Sequence, residues 1–148
     1  MLTKKDWTLI TLALADGRAL TPVQLQKAVF LLWKKLPPSI IPEDFYNFVP
    51  YNYGPFDPKI YTDARAHAHS GLVNIEQDPT YGYALYSAST IGMRQGEEMA
   101  QDIPPLQRAY IKTILDFVTR LSFGQLVSAI YNAYPEYQVN SIFQSDPK

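Results

Sequence analysis

The residues most able to do metal or acid–base chemistry are few, and the only two histidines, His67 and His69, stand together in "YTDARAHAHSG". On a helix, side chains two positions apart point about 200° away from each other, so this pair cannot share one ion. The chain has no cysteine, which removes disulfides, thiolate nucleophiles and Cys-ligated zinc. No run of Asp and Glu has the spacing of a known magnesium or calcium site, and neither a Gly-x-Ser-x-Gly elbow nor a P-loop is present. "GMRQG" sits inside a helical pattern with no buried strand before it, and Glu97-Glu98 reads as a solvated pair. The expectation is a protein with no catalytic residue, no metal and no cofactor.

Binding chemistry is better represented. In "DPKIYTDARAHAHSG" a helix over 57–70 that packs through Ile60, Ala64, His67 and Ala68 turns Lys59, Thr62, Arg65, Ala66 and His69 the other way. Arg and Lys on such a face can donate to guanine, and Thr can contact a base or a phosphate. His67 should then find a backbone partner and His69 should face solvent. Asp57 and Asp63 lie close and dilute the positive charge. Just before the helix, Tyr46, Phe48, Tyr51, Tyr53 and Phe56 follow one another through a proline-bounded stretch. Tyrosine in a rigid loop offers a large amphipathic contact at low entropic cost, the chemistry of protein interface hot spots. Most of these rings should pack inward, leaving Tyr51 and Tyr53 near the surface beside Lys59 and Arg65.

The elements that must position these residues follow from caps and periodicity. Thr3 opens a helix with Trp7, Ile10 and Leu14 on one face, up to Gly17. "LTPVQLQKAVFLLWKKL" is a second: Thr21 caps, Pro22 occupies the first turn, Gln24 completes a capping box, and Pro37-Pro38 ends it. Leu25, Val29, Leu32 and Leu36 make its buried stripe. Residues 39–56 read as a connection with one helical turn at "PEDFYNF". After the third helix, with Asp57 as cap and Gly71 as stop, "LVNIEQ" and "YALYSAS" alternate as strands around the turn "DPTYG". Thr90 is the expected cap of the next helix. Pro104-Pro105 precedes another, with Leu106, Tyr110, Ile114 and Phe117 on one face, and Ser122 with Gln125 boxes the last. Tyr131, Tyr134 and Tyr137 form an aromatic group that either makes an exposed patch suited to a homodimer or covers the core. The tail holds one turn and then frays.

At 148 residues, 47% hydrophobic and 18% charged, the chain has a globular composition and the size of one domain. Its formal net charge of −1 lacks the basic footprint of a dedicated nucleic-acid binder. Residues 1–74 carry +2, from eight basic and six acidic side chains, and the remainder −3, from five and eight. Neither a signal peptide nor a membrane span is legible, so a cytoplasmic protein without a membrane partner is expected.

Three helices, a hairpin and a longer helix is the order of a winged helix-turn-helix, in which the third helix enters a major groove and the hairpin touches phosphates. The expected fold class is therefore α+β and mostly helical: a winged-helix core over residues 1–100 with its two-stranded hairpin, and a C-terminal helical extension over 101–148. The expected wing tip "EQDPTYG" holds Glu76 and Asp78 and no basic residue, which opposes phosphate binding. Leu25-Gln26-Lys27, followed by Tyr53-Gly54-Pro55, resembles the Panacea, or SocA-like, antitoxin domain and its phage-associated relatives over roughly residues 20–75. The stretch "LSFGQLVSAIYNAYPEYQVNSIF" has no counterpart in that pattern. The resemblance implies a small non-enzymatic bacterial or phage-type regulator that binds a partner protein. The surface expected to do so is Tyr51, Tyr53, Lys59, Thr62, Arg65 and His69, and the alternative is a DNA-binding regulator that uses the same helix.

Overall fold

Three capping boxes set the helical frame. In the computed structural model, which describes residues 1–144, the hydroxyls of Thr3, Thr21 and Ser122 each accept the N3 backbone N–H, and their own N–H groups donate to the side-chain oxygens of Asp6, Gln24 and Gln125. They open α1 (Lys4–Ala13), α2 (Pro22–Lys35) and α6 (Phe123–Ala133). Each box satisfies two orphan donors without tertiary help, so these starts are fixed by local sequence.

The fold is α+β and mostly helical, with six α-helices and two small antiparallel hairpins among the described residues. Helix α2 is its centre. Every residue from Leu25 to Leu32 is buried, including Gln26 and Lys27. Helix α3 (Lys59–His69) rests on α1, and the hairpin β3 (Val73–Gln77) and β4 (Ala84–Ala88) follows in the register Val73↔Ala88 to Gln77↔Ala84. Helix α4 (Thr90–Ala100) lies against α1, and α5 (Pro105–Arg120) and α6 pack on α2.

Four sequence expectations are corrected. The connection 39–56 holds no helical turn. It ends instead in a second hairpin, β1 (Val49–Tyr51) with β2 (Gly54–Phe56), whose reversal puts Gly54 at φ +108°, a left-handed value that suits glycine. Ser89, not Thr90, caps α4, because its hydroxyl accepts the Gly92 N–H. On α5 the buried stripe is Ile111, Ile114, Leu115 and Val118, while Leu106 and Tyr110 are exposed. With apolar residues on both sides, period alone placed Ile114 and the partly buried Phe117 on the packed face but missed Ile111, Leu115 and Val118. The tail does not fray after its 3-10 turn (Pro135–Gln138), since residues 140–142 bond to the β1 hairpin; residues 145–148 lie outside the described part.

The tyrosines of α6 and the turn cover the core rather than form an open patch. Phe30 of α2 meets Tyr134 and Tyr137 edge-on, with centroids 5.1 and 5.0 Å apart. Such pairs contribute about 0.5–1.5 kcal/mol beyond the area they bury. Lys34 lies over the same cluster, 4.6 Å from the Trp33 centroid and 5.5 Å from that of Tyr134.

Candidate functional site

The two halves of the short motif meet. Gln26 clamps the main chain of Asp57: its amide donates to the Asp57 carbonyl at 2.9 Å and its Oε1 accepts the Asp57 N–H at 3.1 Å. Next to it in the chain, Lys27 Nζ donates to the Pro55 carbonyl at 3.1 Å. A Cβ on Gly54 would stand 3.3 Å from Tyr131 Cε1 and 3.5 Å from Lys27 Cε, so only a bare backbone passes comfortably between them. Burial pushes the Lys27 amine down to about 7. These side chains hold the loop that carries the candidate surface. Replacing Gln26 by alanine strands a buried donor and a buried acceptor, and a loss of about 2–4 kcal/mol in urea unfolding is expected.

The carboxylate of Asp57 is buried as well. It accepts the backbone N–H groups of Asn47 at 2.8 Å and Lys59 at 2.9 Å, joining the loop to the start of α3. Its charge is consumed there and does not face the candidate surface. Asp63 is likewise engaged: Tyr46, buried in the connection, donates its hydroxyl to Asp63 at 2.5 Å and stands 2.7 Å from the Thr8 hydroxyl of α1. Burial, with the Asp63 contact second, pushes the Tyr46 phenol above its ordinary range. Phe48 is buried too, beside Phe30 and Trp33.

The six expected surface residues fall into two groups. Lys59, Thr62, Arg65 and His69 are all exposed and share one face of α3. Arg65 Nη2 lies 3.4 Å from the Thr62 hydroxyl, a long contact, and otherwise faces solvent. His67 points the other way, is buried, and bonds through Nε2 to the Lys5 carbonyl at 2.8 Å. Among the described residues no group of three His, Asp or Glu side chains is placed to hold a metal ion, and no helix is long and apolar enough to cross a membrane.

Tyr51 and Tyr53 leave the β1–β2 hairpin in different directions. Tyr51 is 48% exposed and stacks on Phe56, with centroids 4.6 Å apart and planes 19° from parallel. Phe56 continues to Tyr61 at 6.0 Å, and Tyr61 stacks on the buried Tyr86 of β4 at 5.9 Å. The result is one aromatic row running from an exposed ring into the core, with Tyr61 also donating to the Pro22 carbonyl at 3.3 Å. Tyr53 is half-buried and meets Phe123 of α6 edge-on at 5.0 Å. It borders a cavity of about 470 Å³ that Val23, Tyr83, Phe123 and Leu126 also line, without any charged side chain.

Sequence reasoning did not find Phe56, Tyr61, Tyr86 or Phe123 as partners of the two tyrosines. Their separation in the chain gives no periodic signal. It also missed the burial of Gln26 and Lys27, for which the cue was a helix apolar on nearly all sides. At the hairpin tip, Asp78 is turned inward to accept the N–H groups of Thr80 and Tyr81, and the rings of Tyr81 and Tyr83 stack 6.1 Å apart. No family model matches the chain, and no curated protein matches it.

Proposed function

We propose that this chain is a non-enzymatic bacterial or phage-type regulatory module, antitoxin-like, that binds a partner protein through the surface from Tyr51 to His69. The observation that carries this reading is the aromatic row Tyr51–Phe56–Tyr61–Tyr86. An exposed ring anchored to the core through packed neighbouring rings is ordered before binding, so little entropy is lost when a partner covers it. The meeting of Leu25-Gln26-Lys27 with Tyr53-Gly54-Pro55 supports the SocA-like reading, because both short motifs then serve to hold the hairpin that presents Tyr51. In this reading the first hundred residues are a winged-helix core, β3–β4 is the wing, and the protein works in the cytoplasm without a cofactor.

A DNA-binding regulator is the second reading, favoured by the shared exposed face of Lys59, Thr62, Arg65 and His69. The hairpin weighs against it. Its exposed side chains include Glu76 and the Tyr81–Tyr83 stack, and no basic residue lies between 73 and 88 to meet a phosphate.

Capture from a lysate of the native host separates the two. With the tagged protein as bait, a stoichiometric protein that resists nuclease is expected, and it should be lost when Tyr51→Ala replaces the wild type at equal folded concentration. Nucleic acid recovered from the untreated lysate and absent after nuclease, with no protein retained, would overturn the protein-docking reading.

A further inference from the structure

A cavity of about 470 Å³ opens where four separate stretches of the chain meet: the start of α2, the turn between β1 and β2, the residue before β4, and the start of α6. Leu126 is buried at its floor, with Val23 and Leu121 half-buried beside it. Three rings complete the lining. Tyr53 and Phe123 stand edge-on at 80°, with centroids 5.0 Å apart, so they form a corner. Tyr83 is backed by Tyr81, whose ring lies 6.1 Å away and 6° from parallel. Although they border a concave space, Tyr83 and Phe123 remain 39% and 48% exposed.

No charged side chain lines this cavity. The hydroxyls of Thr21 and Ser122, at the two helix starts, already accept the Gln24 and Gln125 N–H groups at 3.2 Å, and Pro22 has no N–H to offer. A charge carried in by a ligand would lose its water without gaining a countercharge. A flat apolar ring, by contrast, is stabilised by stacked and edge-on neighbours at once. The volume and the apolar lining with few polar groups are those of a small-molecule pocket. We propose that this cavity binds an uncharged aromatic small molecule of about two or three rings. Gln24 supplies the polar handle. Its Oε1 is taken by the Thr21 N–H, and no described residue accepts from its amide, which is left to donate to a carbonyl or hydroxyl of the ligand. The inference goes beyond the docking reading and does not depend on it. That reading rests on Tyr51 and its row, and the cavity is built on Tyr53, Tyr83 and Phe123.

The test titrates the full chain with two fluorescent dyes that share one skeleton, the uncharged N-phenyl-1-naphthylamine and its sulfonate, 1-anilinonaphthalene-8-sulfonate. Both brighten on leaving water. The uncharged dye is expected to bind saturably at a single site, roughly tenfold more tightly than the sulfonate. Tyr83→Ala removes one wall and should weaken that binding about fivefold, whereas Tyr51→Ala should leave it unchanged. Val23→Trp fills the cavity and should abolish binding. If near-ultraviolet dichroism shows that variant to be unfolded, Leu121→Trp takes its place. Fluorescence that never saturates, equal or tighter binding of the sulfonate, or unchanged affinity in both Tyr83→Ala and the filled variant would overturn the proposal. So would dye binding that disappears at protein concentrations where light scattering shows a dimer, since a second copy would then be the occupant. Failure here, with capture still lost in Tyr51→Ala, removes the cavity as a ligand site and leaves the docking reading standing.

Discussion

Alanine at Gly92 is expected to cost the protein much of its stability, although alanine is the better helix former. Gly92 lies in the first turn of α4, where the chain entering β3 crosses beneath it. An added Cβ would stand 1.8 Å from the Leu72 carbonyl oxygen and 2.7 Å from its carbon. That oxygen already accepts the Ser89 N–H at 2.9 Å, and the Ser89 hydroxyl donates to the Gly71 carbonyl at 2.7 Å. The obstacle is bonded backbone, which cannot swing aside as a long side chain would. Helix propensity returns only about 1 kcal/mol, whereas overpacking costs about 3 kcal/mol or more. For a domain of this size a fall in melting temperature of roughly 10 °C is expected, and it should appear in calorimetry. Gly96 is the informative comparison. Its added Cβ would meet the Ala13 methyl at 2.4 Å, so Gly96→Ala should destabilise and Ala13→Gly should partly restore the double variant.

Stability is expected to rise with pH above neutrality, because of Lys27. Burial lowers its amine from 10.5 to about 7 in the fold, and its single hydrogen bond goes to the Pro55 carbonyl. Between those values the unfolded chain binds the proton and the folded chain does not, so unfolding becomes less favourable as pH increases. Over the whole window the difference is on the order of 5 kcal/mol, and from pH 7 to 9.5 it is roughly 3 kcal/mol. The opposite trend sets in at higher pH. Burial raises the Tyr61 phenol to about 12, so the stability that its neutral form contributes is lost as pH climbs from 10 through that value. Urea unfolding between pH 7 and 9.5 isolates the lysine. A wild-type curve that climbs, beside a Lys27→Met curve that stays nearly flat, is the expected pair. Parallel curves would show that Lys27 is protonated and solvated in the fold.

Local rules in the sequence located the starts of α1, α2 and α6 because each capping box needs only residues three apart, as Thr21 with Gln24 or Ser122 with Gln125. The β3–β4 strands were legible from alternation and from the turn between them. The β1–β2 hairpin was not, because strands of three residues, each with a proline at its centre, are too short to show a period and read as loop. The division of the α3 face was read correctly, with Ile60, Ala64 and His67 inward and Lys59, Thr62, Arg65 and His69 outward. Helical spacing alone decides that. What makes the surface a unit lies in contacts between residues far apart in the chain. Tyr61 on Tyr86 and Tyr53 on Phe123 belong to different elements, and the clamp of Gln26 on Asp57 spans 31 positions.

Docking through the aromatic row stands or falls on the affinity of the captured partner for wild type, Tyr51→Ala and the double variant Lys59→Ala/Arg65→Ala, each at 50 and 200 mM salt. The expected result is at least a roughly tenfold loss for Tyr51→Ala, with a small effect of the charge changes and of salt. Near-wild-type affinity for Tyr51→Ala, with binding to duplex DNA that collapses in the double variant and falls about a hundredfold or more over the same salt range, would contradict it.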